Sequence, residues 1–212
     1  MIERPQGGLS LVLADGQRSG KAAKAISNVV ARKTVQLLGE GVRDGAAARA
    51  AHDYLYTYRG GKVSCTLNIV SVDMVSRTLV ISRNNPAPVI VHTAERGFYL
   101  LDEPAEAVGV HRNTKPVITE VPIEVGTLIV SFSDGLQHAG SLSGDHRLNL
   151  IETIYKLLTA GANHPQAIAD GLLVEALQLE HGRPHDDISI VVLMVVEGQG
   201  QQVRRLSVQV PL

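Results

Sequence analysis

Aromatic side chains are almost missing from this chain. They make up 3% of its 212 residues and include no Trp, so any core must be built from Val, Leu, Ile and Ala. Cysteine is scarcer still. Cys65 stands alone, which excludes an intramolecular disulfide, and its apolar setting, VSCTLNIV, suits a small buried thiol better than a reactive one. No apolar run approaches the ~20 residues of a membrane span. The opening MIERPQGGLS is polar and contains Pro5, Gly7 and Gly8, unlike a signal peptide. There is also no block of like charge: 20 Lys and Arg face 21 Asp and Glu. Neither nucleic acid nor a membrane surface is therefore expected as a partner, since both select a concentrated basic face. These absences point to a cytoplasmic protein, or a cytoplasmic piece of a longer one. With no repeat, low-complexity tract or long linker, residues 1–212 are expected to form one domain.

What is present is a succession of strands and helices. Leu9, Leu11, Val12, Leu13 and Ala14 form a short run with the character of a buried strand, which stops at Asp15-Gly16. From Gly20 the period becomes helical, with a stripe of Ala22, Ile26, Val29, Val30 and Leu37. A second helix carries Ala47, Ala51, Leu55 and Tyr58 and is closed by Gly60-Gly61. Residues 63–73 and 79–83 are expected as antiparallel neighbours. After the Asn84–Pro88 loop come strands at 89–92, 97–101, 116–121 and 127–132. The last third predicts a helix with Leu148, Ile151, Ile154, Tyr155 and Leu158 inward, and another with Ile168, Leu172, Ala176 and Leu179. Residues 188–196 are the most buried-looking strand, and 206–210 a final alternating one.

Three strands carry an acid at one end. Asp15 and Asp134 follow theirs, while Asp186 and Asp187 precede theirs. In an antiparallel sheet one strand's start and its neighbour's end share an edge, so all of these acids can meet at one rim. Clustered carboxylates repel one another and are costly to desolvate unpaired. A divalent cation resolves this, and an all-oxygen donor set suits Mg²⁺ or Mn²⁺ rather than zinc. Taken alone, Asp15-Gly16 fits a plain turn in which Asp15 and Ser19 cap the following helix. The other acids reverse that balance. His185, one of eight histidines, reads as a surface residue and Asn84–Pro88 as a simple turn.

The pieces LVLADGQRSGKAAKAIS, IVSFSDGL and DDISIVVL, in this order, resemble the D-G-x-G-x-G, S-D-G and D-[DN]-[IM]-[ST] motifs of the metal-dependent protein phosphatase (PPM) family. The likeness is to its bacterial branch of sporulation stage II E and stressosome serine phosphatases, and it covers nearly the whole chain. The resemblance implies an α+β fold, a four-layer sandwich of two antiparallel β-sheets flanked by helix pairs. It implies that Asp15 bridges two Mn²⁺ or Mg²⁺ ions, that Gly16 offers its carbonyl to one, and that Asp134 and Asp186 hold the other. Asp187 would stand behind them, orienting rather than binding. The implied reaction is attack of metal-activated water on phosphoserine or phosphothreonine. The implied substrate is a phosphorylated regulator such as an anti-sigma-factor antagonist, and the first helix pair is a candidate dimerisation surface.

Three departures accompany the likeness. The family's upstream metal-binding aspartate, on a first strand, has no counterpart, so one of the two ion sites may be depleted. Arg18 replaces the middle glycine of D-G-x-G-x-G, where it could bind substrate phosphate or compete with a metal. Gln17 stands where many eukaryotic relatives place a histidine proposed as general acid. These departures keep a second expectation open: a pseudophosphatase that binds and regulates with little or no catalysis.

Overall fold

The branched residues that dominate the chain form two antiparallel sheets in a computed structural model, which describes residues 1–141 and 147–198. The elements run β1 (Ile2–Glu3), β2 (Leu9–Gly16), α1 (Gly20–Gly39), α2 (Asp44–Arg59), β3 (Cys65–Asp73), β4 (Thr78–Asn84), β5 (Val89–Thr93) and β6 (Gly97–Leu101). They continue with β7 (Val117–Pro122), β8 (Leu128–Phe132), α3 (Asp134–Gln137), α4 (Leu150–Thr159), α5 (Pro165–Leu179) and β9 (Ile190–Met194). One sheet has the order β1-β2-β3-β4-β7 and the other β6-β5-β8-β9.

Period-two alternation produces the layering. On β3, Cys65, Leu67 and Ile69 face α1 and α2, where they meet Ile26, Val30, Ala47, Ala51 and Leu55. Val70 turns the other way and joins Leu79, Ile81, Val89, Val91 and Ile129 between the two sheets. On β8, Leu128, Val130 and Phe132 point outward onto Ile154, Ile168, Leu172 and Ala176 of α4 and α5. The result is the expected four-layer sandwich, helix pair on sheet on sheet on helix pair.

Several inward-facing assignments shift. On α1 the buried stripe is Ala23, Ile26, Val30, Thr34 and Leu38, while Ala22 is exposed. Tyr58 and Tyr155 are each 59% exposed. An apolar body with a polar tip sits at the edge of a helical stripe as readily as inside it. The strand expected to be most buried, β9, is half-buried throughout, because among the described residues it forms the edge of its sheet. β2 is largely half-buried for a related reason: β1 pairs only with Leu9 and Ser10. The expected strand at 206–210 lies outside the described residues.

A charged network is buried at the end of the first sheet where α2 begins. Arg4 donates to Asp44 at 2.7 Å and to the Val42 carbonyl at 2.9 Å. Ser71 donates to the other Asp44 oxygen and lies 2.7 Å from Ser10. Breaking a buried pair strands a charge, whereas replacing both members with apolar groups removes the desolvation cost as well. Asp44→Ala is expected to lower the unfolding free energy by about 3–5 kcal/mol in urea titrations, and Arg4→Met/Asp44→Leu to recover most of it. An unchanged urea midpoint for Asp44→Ala would show that the network contributes nothing.

Candidate metal centre

Asp15 lies near the end of β2 on the same face as Leu11, which packs between the sheets. Across the ladder it faces Thr66, whose hydroxyl lies 3.5 Å from the Asp15 carbonyl oxygen. Gly16 follows because nothing larger fits. A Cβ there would lie 2.5 Å from the Ala23 carbonyl oxygen and 2.9 Å from Ile26 Cβ. Ser27 fastens the helix to the strand end by accepting the Gly16 N–H at 2.8 Å and donating to the Ala23 carbonyl at 3.0 Å. The capping alternative fails. Asp15 belongs to the strand, and Ser19, although at the helix start, makes no side-chain cap bond.

The next two residues shape the loop. Gln17 accepts both the N–H and the hydroxyl of Ser64 through its side-chain oxygen, each at 2.9 Å. Its role here is to tie the loop to the approach of β3. Arg18 has φ 68°, in the left-handed region that costs a residue with a side chain about 1–2 kcal/mol. A glycine would occupy the position without that cost, so the arginine is held against a local preference.

Asp134 and Asp186 are brought together by direct packing. The β8–β9 ladder continues as Ser133 N–H donates to the Ser189 carbonyl at 3.0 Å. The buried Ser133 hydroxyl donates to the Asp187 carbonyl at 3.0 Å and accepts the Ser189 N–H at 2.9 Å. Gly135 completes the fit, since a Cβ there would lie 2.5 Å from the Asp187 carbonyl oxygen. Asp186 accepts the N–H of Asp187 at 2.8 Å, fixing its own turn.

Asp15, Gly16, Arg18, Asp134 and Asp186 line one cavity of about 340 Å³. Pro86 also lines it, so Asn84–Pro88 is more than the simple turn expected: Asn84 anchors the loop by donating to the Glu106 and Lys115 carbonyls. Asp187 does not line this cavity, yet its charge reaches Asp15. Burial, followed by the charges of Asp134, Asp186 and Asp187, pushes the Asp15 carboxyl up to about 6. Cys65, pushed up to about 12 chiefly by burial, is the inert thiol expected.

Sequence reasoning missed Ser27, Ser133 and Glu180. Ser133 was visible inside the S-D-G motif, but its hydroxyl's task depends on where β9 lies. Ser27 and Glu180 had no local signal. His185, read as a surface residue, is 60% exposed at its side chain but bonds through Nδ1 to the buried Glu180 carboxylate. Both residues line a neighbouring cavity of about 210 Å³ that shares Asp134 and Asp186.

The donor chemistry fits a hard divalent cation. Among the described residues no three His, Cys, Asp or Glu side chains form a ready-made cage. Mg²⁺ and similar ions rarely use one, because they keep several waters and take one or two carboxylates plus substrate phosphate. Two oxygen-bearing loops facing a third carboxylate across an open cavity, with Asp15 raised by unrelieved like charge, match that habit.

A family model described as Stage II sporulation protein E (SpoIIE) matches residues 5–196. The stage II sporulation protein E of Priestia megaterium is 22% identical over 194 residues, which is 91% of this chain and 32% of that protein. The chain thus spans about a third of the length of this curated relative. Among solved structures, the PP2C phosphatase domain of SpoIIE from Bacillus subtilis, with a fragment of its regulatory domain, superposes with a TM-score of 0.78. It is 19% identical, over 91% of this chain and 56% of that one. The catalytic domain of the serine threonine phosphatase PstP, in complex with two manganese ions, gives 0.64 at 15% identity, over 89% and 88%. The chain belongs to the stage II sporulation protein E family and has the two-sheet fold of the PP2C-type (PPM) serine/threonine phosphatases.

Proposed function

We propose that residues 1–212 act as one metal-dependent phosphatase domain that hydrolyses phosphoserine or phosphothreonine on a small regulatory protein, such as an anti-sigma-factor antagonist. The observation that carries this reading is the shared cavity of Asp15, Asp134 and Asp186, with Asp15 raised to about 6 by burial and by its acidic neighbours. The family's sporulation relatives and the two manganese ions of the PstP structure support it. Asp15 and the Gly16 carbonyl would hold Mn²⁺ or Mg²⁺ on the β2 side, and Asp134 and Asp186 on the β8–β9 side. Such ions acidify water and neutralise charge on phosphoryl oxygens. Asp187 supports this arrangement through the turn it shares with Asp186 and the bond its carbonyl accepts from Ser133. Arg18, exposed at the mouth of the cavity, is placed to bind a substrate phosphate.

One observation favours the alternative, a binding module with little catalysis: Arg18 sets a cation beside the acids. The two readings diverge experimentally. If Arg18 binds phosphate, Arg18→Ala raises KM for a phosphoserine peptide about tenfold and leaves Mn²⁺ affinity unchanged. If Arg18 occupies metal space, the same variant binds Mn²⁺ more tightly and gains turnover.

The main reading is tested by following phosphate release from a phosphoserine peptide with Mn²⁺. Asp134→Ala should lower kcat/KM at least about a hundredfold, and equal rates in the two proteins would sink it. A stability measurement checks the electrostatics independently. Asp15 has a folded pKa above its unfolded one, so its contribution to stability is present below pH 4 and lost as pH rises through about 6. The metal-free Asp15→Asn protein should therefore melt about 2–4 °C above wild type at pH 8 and show no such gain at pH 4. A lower melting temperature for Asp15→Asn at pH 8 would mean that the acids do not repel one another.

A further inference from the structure

We infer that Glu180 is a positioning residue for the metal-binding loops, acting as a buried clasp between the segment that follows Asp134 and the segment that precedes Asp186. This rests on the metal-dependent reading above. Glu180 caps the C-terminal end of α5, and its side chain is 5% exposed. One carboxylate oxygen accepts the Gly140 N–H at 2.5 Å, just beyond α3, whose first residue is Asp134. The other accepts the Nδ1–H of His185, the residue directly before Asp186. A single side chain thus joins two loops that come from distant parts of the sequence and face each other across the cavity they share with His138.

The location is a poor one for an acid on local grounds. The C-terminus of a helix carries the negative end of its dipole, which favours Lys, Arg or His, and burying a carboxylate costs several kcal/mol unless it is fully bonded. Helix stability alone would not place Glu there. What repays the cost is the pair of bonds, and both fall on the metal loops. The Gly140 N–H, and after it His185, holds the Glu180 carboxyl below the usual range, so it stays charged and accepting. The segment it closes is sharply bent: His181 and Gly182 both have positive φ, 52° and 75°. With a left-handed residue other than glycine in that bend, the path from α5 to Asp186 depends on tertiary bonds to keep its shape. His185, mostly exposed, has little packing of its own and takes its orientation from Glu180. This is the relation by which outer residues orient metal ligands.

The test is calorimetric titration of the full chain with Mn²⁺ alone, well below the melting temperature, alongside thermal melts. Glu180→Ala should weaken Mn²⁺ binding at least about tenfold. Glu180→Gln, whose amide oxygen still accepts the Gly140 N–H, should stay within about threefold of wild type. His185→Ala should weaken binding about threefold to tenfold, and adding it to Glu180→Ala should cause no further loss, since both remove one clasp. Wild-type-like affinity in a folded Glu180→Ala protein overturns the inference. Should Glu180→Ala fail to fold, His185→Ala decides, and unchanged affinity there overturns it equally. A wild type silent to millimolar Mn²⁺ overturns the metal reading itself and this inference with it, whereas binding that ignores Glu180 and His185 overturns only the clasp.

Discussion

The Asp187 backbone runs so close to Gly135 that no methyl group fits between them, and the geometry of the acidic rim follows from that contact. It holds the end of β8 against the approach to β9, so that Asp134 and Asp186 emerge side by side although far apart in sequence. The Ser133 hydroxyl saturates the contact by donating to one strand's carbonyl and accepting its neighbour's N–H. A glycine without room for a side chain and a serine with both bonding roles occupied are thus one device. Asp15 comes from the opposite sheet, so its place depends on how the sheets stack. There the buried Asn68 of β3 donates to Ser131 of β8 at 2.8 Å, a polar tie between layers otherwise joined by Val, Leu and Ile. Ser131 lies two residues before Ser133, on the same face of its strand. The tie therefore couples sheet spacing to the acid pair.

Assembling the rim works against the stability of the empty protein. Asp15 is partly removed from water and faces three like charges. Such a cluster persists only if the rest of the fold carries it, and here three apolar layers do so. The same logic applies at Glu180, an acid at the negative end of a helix, held by two donors rather than by local preference. Both residues break an elementary electrostatic rule, and both adjoin the same acidic loops. Sites of this kind are where a sequence departs from what stability alone would select.

How much of this was legible depended on whether a signal was local. Alternation along residues 65–73 and 128–132 assigned both faces of the central strands correctly, because period two admits only one inward set for each face. The convergence of Asp15, Asp134 and Asp186 was also legible, since strand ends in antiparallel sheets share edges. The helical stripes were less exact. At 3.6 residues per turn a boundary position such as Ala22 or Tyr58 falls inside or outside by a fraction of a turn. The burial of β9 was overestimated because hydropathy cannot say which strand lies at an edge. Ser27, Glu180 and the bond from Asn68 to Ser131 were invisible, as each depends on a partner fixed only by tertiary packing. Pro86 was visible as a turn, but which cavity it lines could not be read from its neighbours.

Arg18 brings these strands of argument together. Its left-handed backbone would suit a glycine, and the arginine persists there at a local cost of about 1–2 kcal/mol. As a cation at the mouth of an acidic cavity, it eases the same repulsion that a divalent ion would ease. Alone with the acids, arginine and metal are alternatives, since both neutralise the same carboxylates. A substrate phosphate changes that balance. It brings about −1.5 to −2 of charge near neutral pH, enough to satisfy a guanidinium and still contribute oxygens to a cation. The planar donor fork of arginine matches phosphate oxygens, and its exposed position leaves it free to reach them. The arginine and the cations are therefore mutually compatible when the phosphorylated substrate is bound, and it is in that state that a strained Arg18 has a physical reason to replace glycine.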